Sequence, residues 1–105
     1  MVFKSEVLEV VGYEMDSQFK RWGEQNHRDG TDPVWVVAAD SAKRTNDALV
    51  VDGTLSWAAI LIEEVYEAFA EADEDKLTEE LIQVAAVACS WIEAIERRRA
   101  QRLAA

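Results

Sequence analysis

Apolar residues recur at three- and four-residue steps over most of the chain. This is the spacing of amphipathic helices rather than the alternation of a strand. Val7, Val10, Val11, Met15, Gln18, Phe19 and Trp22 mark a first helix from about Lys4 to Trp22, and Gly23 ends it. The segment EQNHRDGTDP at 24–33 contains Gly30 and Pro33 and reads as loop. A second helix is expected over about Val34 to Val50, followed by a turn at Asp52 and Gly53. Thr54 is then a good N-cap for a third helix from about Leu55 to Ala72. The acidic run at 73–75 breaks that helix. Thr78 is a candidate cap for a fourth helix reaching about Arg102, with a start already at Asp75 as the alternative. No repeat, low-complexity tract or clean strand pattern interrupts this order, so the expected fold class is all-α, in one domain over 1–105.

The last two helices carry the information. On the third, Leu55, Ile62, Val65 and Phe69 share one face, and Glu63, Glu64, Glu67 and Glu71 share the other. Trp57 and Ile60 flank the acidic face, so it does not read as simply solvated. The fourth helix is apolar in almost every direction from Leu81 to Ile95, with Gln83, Ser90 and Glu93 as the interruptions. A helix apolar all round is buried all round. Four short helices in one chain cannot easily bury it, so a second copy is expected to pack there, giving a dimer or tetramer.

Composition narrows the function. The 105 residues carry a formal net charge of −10, which argues against binding a nucleic-acid backbone. Arg97, Arg98, Arg99 and Arg102 form the one basic cluster, read as favourable charge near a helix C-terminus. Cys89 is a lone cysteine between small apolar residues and is expected to be a buried structural thiol. The N-terminus lacks the apolar stretch of a signal peptide, and no segment approaches the roughly 20 apolar residues of a membrane span. A cytoplasmic protein with no membrane contact is the expectation.

Burying a carboxylate is costly unless something positive meets it. Glu64 and Glu67 lie one helical turn apart, Glu63 is adjacent, and Glu80 with Gln83 repeats the three-residue step on the next helix. The short turn between the two helices suggests an antiparallel hairpin that brings the pairs face to face. Oxygen donors without histidine or cysteine suit a hard divalent cation, Mg2+ or Mn2+. The competing reading is a solvated acidic helix face, against which stand the apolar flanks and the lack of basic partners at i+4.

At these residues the chain resembles the MazG-like all-α nucleoside triphosphate pyrophosphohydrolases. Their pattern is EExxE, a spacer, then ExxD on an antiparallel helix pair. Here it reads EEVYE at 63–67 and ELIQ at 80–83, and the likeness extends to RWGEQNHRDGT at 21–31. The resemblance implies Mg2+-dependent cleavage of a nucleoside triphosphate between its α- and β-phosphates, giving a monophosphate and pyrophosphate. It implies a metal site of Glu63, Glu64, Glu67 and Glu80. Gln83 departs from the pattern: it stands where the family has aspartate and brings an oxygen but no charge.

Within this reading, Glu63 or Glu64 is the candidate catalytic base that orients or deprotonates the attacking water. Lys43 and Arg44 are candidates to meet the charge on the leaving pyrophosphate, with Arg21 and Arg28 as alternatives. Trp22 could stack on a base, or be a core tryptophan closing the first helix. His27, with Asn26, could read the base edge or a phosphate, or be an exposed loop residue. Asn46 and Asp47 could hold the sugar, or belong to an ordinary helix end. Two other classes of function stay open: a nucleotide-binding relative without turnover, and an acidic helical interaction module.

Overall fold

The computed structural model describes residues 3–105, and all regular structure among them is helical. Four α-helices follow in order: α1 (Lys4–Trp22), α2 (Val36–Asp52), α3 (Trp57–Phe69) and α4 (Glu74–Ala104). A 3-10 turn at Pro33–Trp35 leads into α2. The chain forms two compact units, one of residues 1–28 and 89–105, the other of residues 29–88.

In the first unit, α1 begins and ends where its pattern places it. Gly23 closes it with φ 67°, and the Gly23 amide donates to the Phe19 carbonyl. Val7 is the buried apolar side chain of α1, at 1% exposure. Val10, Met15, Phe19 and Trp22 are exposed, so the expected apolar stripe is not a buried core in the chain by itself. Val11 and Gly12, next to Val7 along the helix, are half-buried. Cys89 is half-buried rather than buried.

The second unit shows how helix ends are assigned. Gly53 adopts the left-handed conformation, φ 72° and ψ 22°. The Gly53 amide donates to the Val50 carbonyl, and the Thr54 amide donates to the Leu49 carbonyl at 2.9 Å. These two bonds form a Schellman closure of α2. Thr54 is therefore spent on ending α2 and does not cap α3, as its sequence position suggests. Ser56 does so, its hydroxyl accepting from the Ala59 amide at 3.1 Å. The third helix stops at Phe69 rather than Ala72. Asp73 caps α4 by accepting from the Lys76 amide at 3.0 Å, and Glu74 and Asp75 add negative charge where the helix dipole favours it. Thr78 lies inside α4 and donates to the Glu74 carbonyl, so it is no cap.

The start of α2 is fastened to the end of α3. Pro33 opens the 3-10 turn, Asp32 caps it through the Val34 amide, and the Asp32 amide donates to the Phe69 carbonyl at 2.9 Å. Trp35 stacks on Tyr66 with centroids 5.7 Å apart and meets Phe69 edge-on at 5.2 Å. Ala39, Asn46, Ala68 and Leu77 are buried in this unit. No helix among the described residues is long and apolar enough to cross a membrane.

Ser56→Ala is expected to lower stability by about 1 kcal/mol in chemical denaturation, whereas Thr54→Ala should change it by less than about 0.5 kcal/mol. The reverse order would mean that Thr54 caps α3 after all.

Candidate functional site: a carboxylate cluster on α3

Glu63, Glu64 and Glu67 each offer a carboxylate oxygen, and these oxygens lie within 4.8 Å of one another. All three side chains are half-buried, as are their neighbours Trp57 and Ile60. The opposite face holds Ile62 and Phe69, both exposed, with Val65 half-buried between them. The charged face of α3 is therefore at least as covered as the apolar one. Leu55, expected on that apolar face, precedes the helix.

The electrostatics follow from the crowding. Burial, then the charges of Glu80 and Glu63, raises the Glu64 carboxyl above its ordinary range. Glu67 is pushed up to about 7 by burial first, then by the charges of Glu64, Glu63 and Glu80, and by a hydrogen bond with Glu63. Glu80, half-buried on α4, is thus close enough for its charge to be felt by two members of the cluster. Among the described residues, no lysine or arginine pairs with Glu63, Glu64, Glu67 or Glu80.

The donor set fits a hard divalent cation. Carboxylates are the ligands Mg2+ selects, and opposite ligands of a Mg2+ octahedron lie roughly 4.2 Å apart. Oxygens already gathered within 4.8 Å need little movement to approach that span.

The other sequence candidates fall in different places. Lys43, Arg44 and Asp47 are exposed on α2, and neither base is paired with a carboxylate among the described residues. Gln83 is exposed on α4. Arg21, Trp22 and His27 belong to the first unit and are exposed. Trp22, at 57% exposure, is not a core tryptophan in the chain, and the Arg21 guanidinium lies 5.0 Å from the centre of its ring.

Asn46 departs most from its sequence reading. It is 7% exposed, and its side-chain nitrogen donates to the Ala59 carbonyl at 2.8 Å and to Glu63 Oε1 at 3.0 Å. Its partner is the carboxylate cluster. A signal for this exists in the sequence: Ala39, Ala42, Asn46 and Leu49 form one helical stripe, and a polar residue on an inward stripe needs a partner. The Trp35–Tyr66–Phe69 cluster gave no comparable signal, because Trp35 comes from the 3-10 turn and meets Tyr66 and Phe69 of α3 from another element.

No protein-family model, curated protein or solved structure matches this chain.

Folding raises the Glu67 carboxyl from 4.5 to about 7, so the folded state holds a proton more tightly than the unfolded state does. The stability this gives is fully present below pH 4.5 and is lost as pH rises through about 7. In chelator, the melting temperature is expected to fall between about pH 5 and about pH 8, and to fall less steeply in Glu67→Gln. Equal slopes for parent and variant would remove Glu67 as the titrating group.

Proposed function

We propose that this chain is a divalent-cation-dependent nucleoside triphosphate pyrophosphohydrolase of the MazG-like kind. The observation that carries the proposal is the convergence of Glu63, Glu64 and Glu67, half-buried and without a cationic side-chain partner. A cation would relieve both the burial and the mutual repulsion. Glu63, Glu64, Glu67 and Glu80 are its proposed ligands on an antiparallel α3–α4 hairpin, with the Gln83 amide oxygen as a further donor. When bound, Mg2+ would neutralise phosphate charge and polarise the phosphorus under attack.

The chain's own groups have distinct roles in this reading. Glu63 has one oxygen held by Asn46, which favours a fixed role in the ligand set. Glu64 has no hydrogen-bond partner among the described residues, which favours it as the group that orients the water and takes its proton. The water oxygen adds to the α-phosphorus, the bond to the bridging oxygen breaks, and pyrophosphate leaves. Lys43 and Arg44 are free to meet the leaving charge. A second reading, a nucleotide-binding relative without turnover, is favoured by Gln83, which is exposed and uncharged where the pattern has aspartate.

Assembly with another copy belongs to the same proposal. Leu81 and Ile82 on α4 are 51% and 60% exposed, and Ile62 and Phe69 on α3 are exposed as well. Apolar surface of this kind is what a subunit interface covers. Light scattering after size exclusion is expected to give a dimer or tetramer, and a monomer across micromolar concentrations would contradict it.

Pyrophosphate release should be assayed over a panel of ribo- and deoxyribonucleoside triphosphates, with and without Mg2+ or Mn2+. Release is expected to require metal, and to drop by about 100-fold or more in Glu64→Gln and Glu67→Gln while both variants stay folded. Variants as active as the parent would sink the proposal. Metal and nucleotide binding without release would favour the second reading.

A further inference from the structure

We propose that Asn46 is a positioning residue that sets the orientation of the Glu63 carboxylate, and that it is not a sugar-binding group. This rests on the reading of Glu63 as a metal ligand. Asn46 lies on the inward stripe of α2 at 7% exposure, where an amide must find partners inside the protein. A side-chain amide has two N–H donors. Both are committed here, one to the Ala59 carbonyl at 2.8 Å and one to Glu63 Oε1 at 3.0 Å. Neither proton is left for a ligand.

The two acceptors define the device. Ala59 and Glu63 stand four residues apart on α3, one helical turn. The Ala59 carbonyl is backbone and cannot turn, so it fixes the plane of the Asn46 amide. That plane then fixes where Glu63 Oε1 sits. A glutamate otherwise free to sample several rotamers is held in one, beside Glu64 and Glu67. Hydrogen-bond partners that orient ligating carboxylates typically contribute about 10- to 100-fold to metal affinity.

The bland alternative is that Asn46 only staples α2 to α3. The two are separated by Mn2+ affinity, measured by electron paramagnetic resonance without nucleotide and well below each variant's melting temperature. Asn46→Leu keeps the volume and removes both donors. Asn46→Ser is the milder change should the leucine variant fail to fold. Ala39→Gly is the control, because it loosens the same helix without touching Glu63. The dissociation constant is expected to rise about 10- to 100-fold in Asn46→Leu, to rise in Asn46→Ser, and to stay at the parent value in Ala39→Gly. Unchanged Mn2+ affinity in the Asn46 variants would overturn the proposal, as would an equal loss in Ala39→Gly. Unchanged Mn2+ affinity with a raised KM for ribonucleotides alone would restore the sugar-binding role. No Mn2+ binding by the parent would overturn the metal reading and this inference together, a result distinct from all the others.

Discussion

Three like charges crowded on one half-buried helix face form the constraint around which the second unit is organised. Glu63, Glu64 and Glu67 have oxygens within 4.8 Å of one another, and Glu80 adds its charge from α4. Carboxylates this close and this sheltered from water repel, and one response is to hold a proton. Glu67 does so, with its carboxyl raised to about 7. A second response is to bind a cation, which satisfies all of them together. Active sites are places where burial and like charges are arranged to shift pKa values.

The surrounding scaffold holds α3 in place against that repulsion. Trp35 packs on Tyr66 and Phe69 at its C-terminal end. Asn46 reaches Ala59 and Glu63 from α2. The closure of α2 at Gly53 and Thr54 and the Ser56 cap set where α3 begins, and so where around its axis each glutamate falls. A helix start displaced by even one residue would carry the glutamates about 100° around that axis. Local capping is therefore coupled to the site, although no cap touches it.

Much of this was legible in the residues. The helical periodicity, Gly23 and Gly53 located four helices, and the ExxE spacing singled out Glu63, Glu64 and Glu67. The misplacements have physical causes. Thr54 and Ser56 are both good caps, and the choice between them was made by the Schellman bond from the Thr54 amide to Leu49. Asp73 rather than Thr78 caps α4, its carboxylate accepting from the Lys76 amide, and the helix begins at Glu74, one residue from the alternative start at Asp75. The bond from Asn46 to Glu63 gave no signal along the chain, because Glu63 is seventeen residues away and on another element. Spacing along one helix reveals a cluster on that helix, but hydrogen bonds between helices depend on how the elements meet. The apolar stripe of α1 posed the opposite difficulty: its period was right, yet most of it is exposed.

The most direct test of the central claim is to follow the Glu67 carboxyl carbon by 13C NMR across pH, in chelator and then in Mg2+. Without metal it is expected to titrate near 7, and with Mg2+ saturating the cluster the midpoint should fall well below the ordinary glutamate value of 4.5. A midpoint near 4.5 in chelator would contradict the crowding of the carboxylates, and one near 7 that Mg2+ leaves unmoved would contradict the cation site.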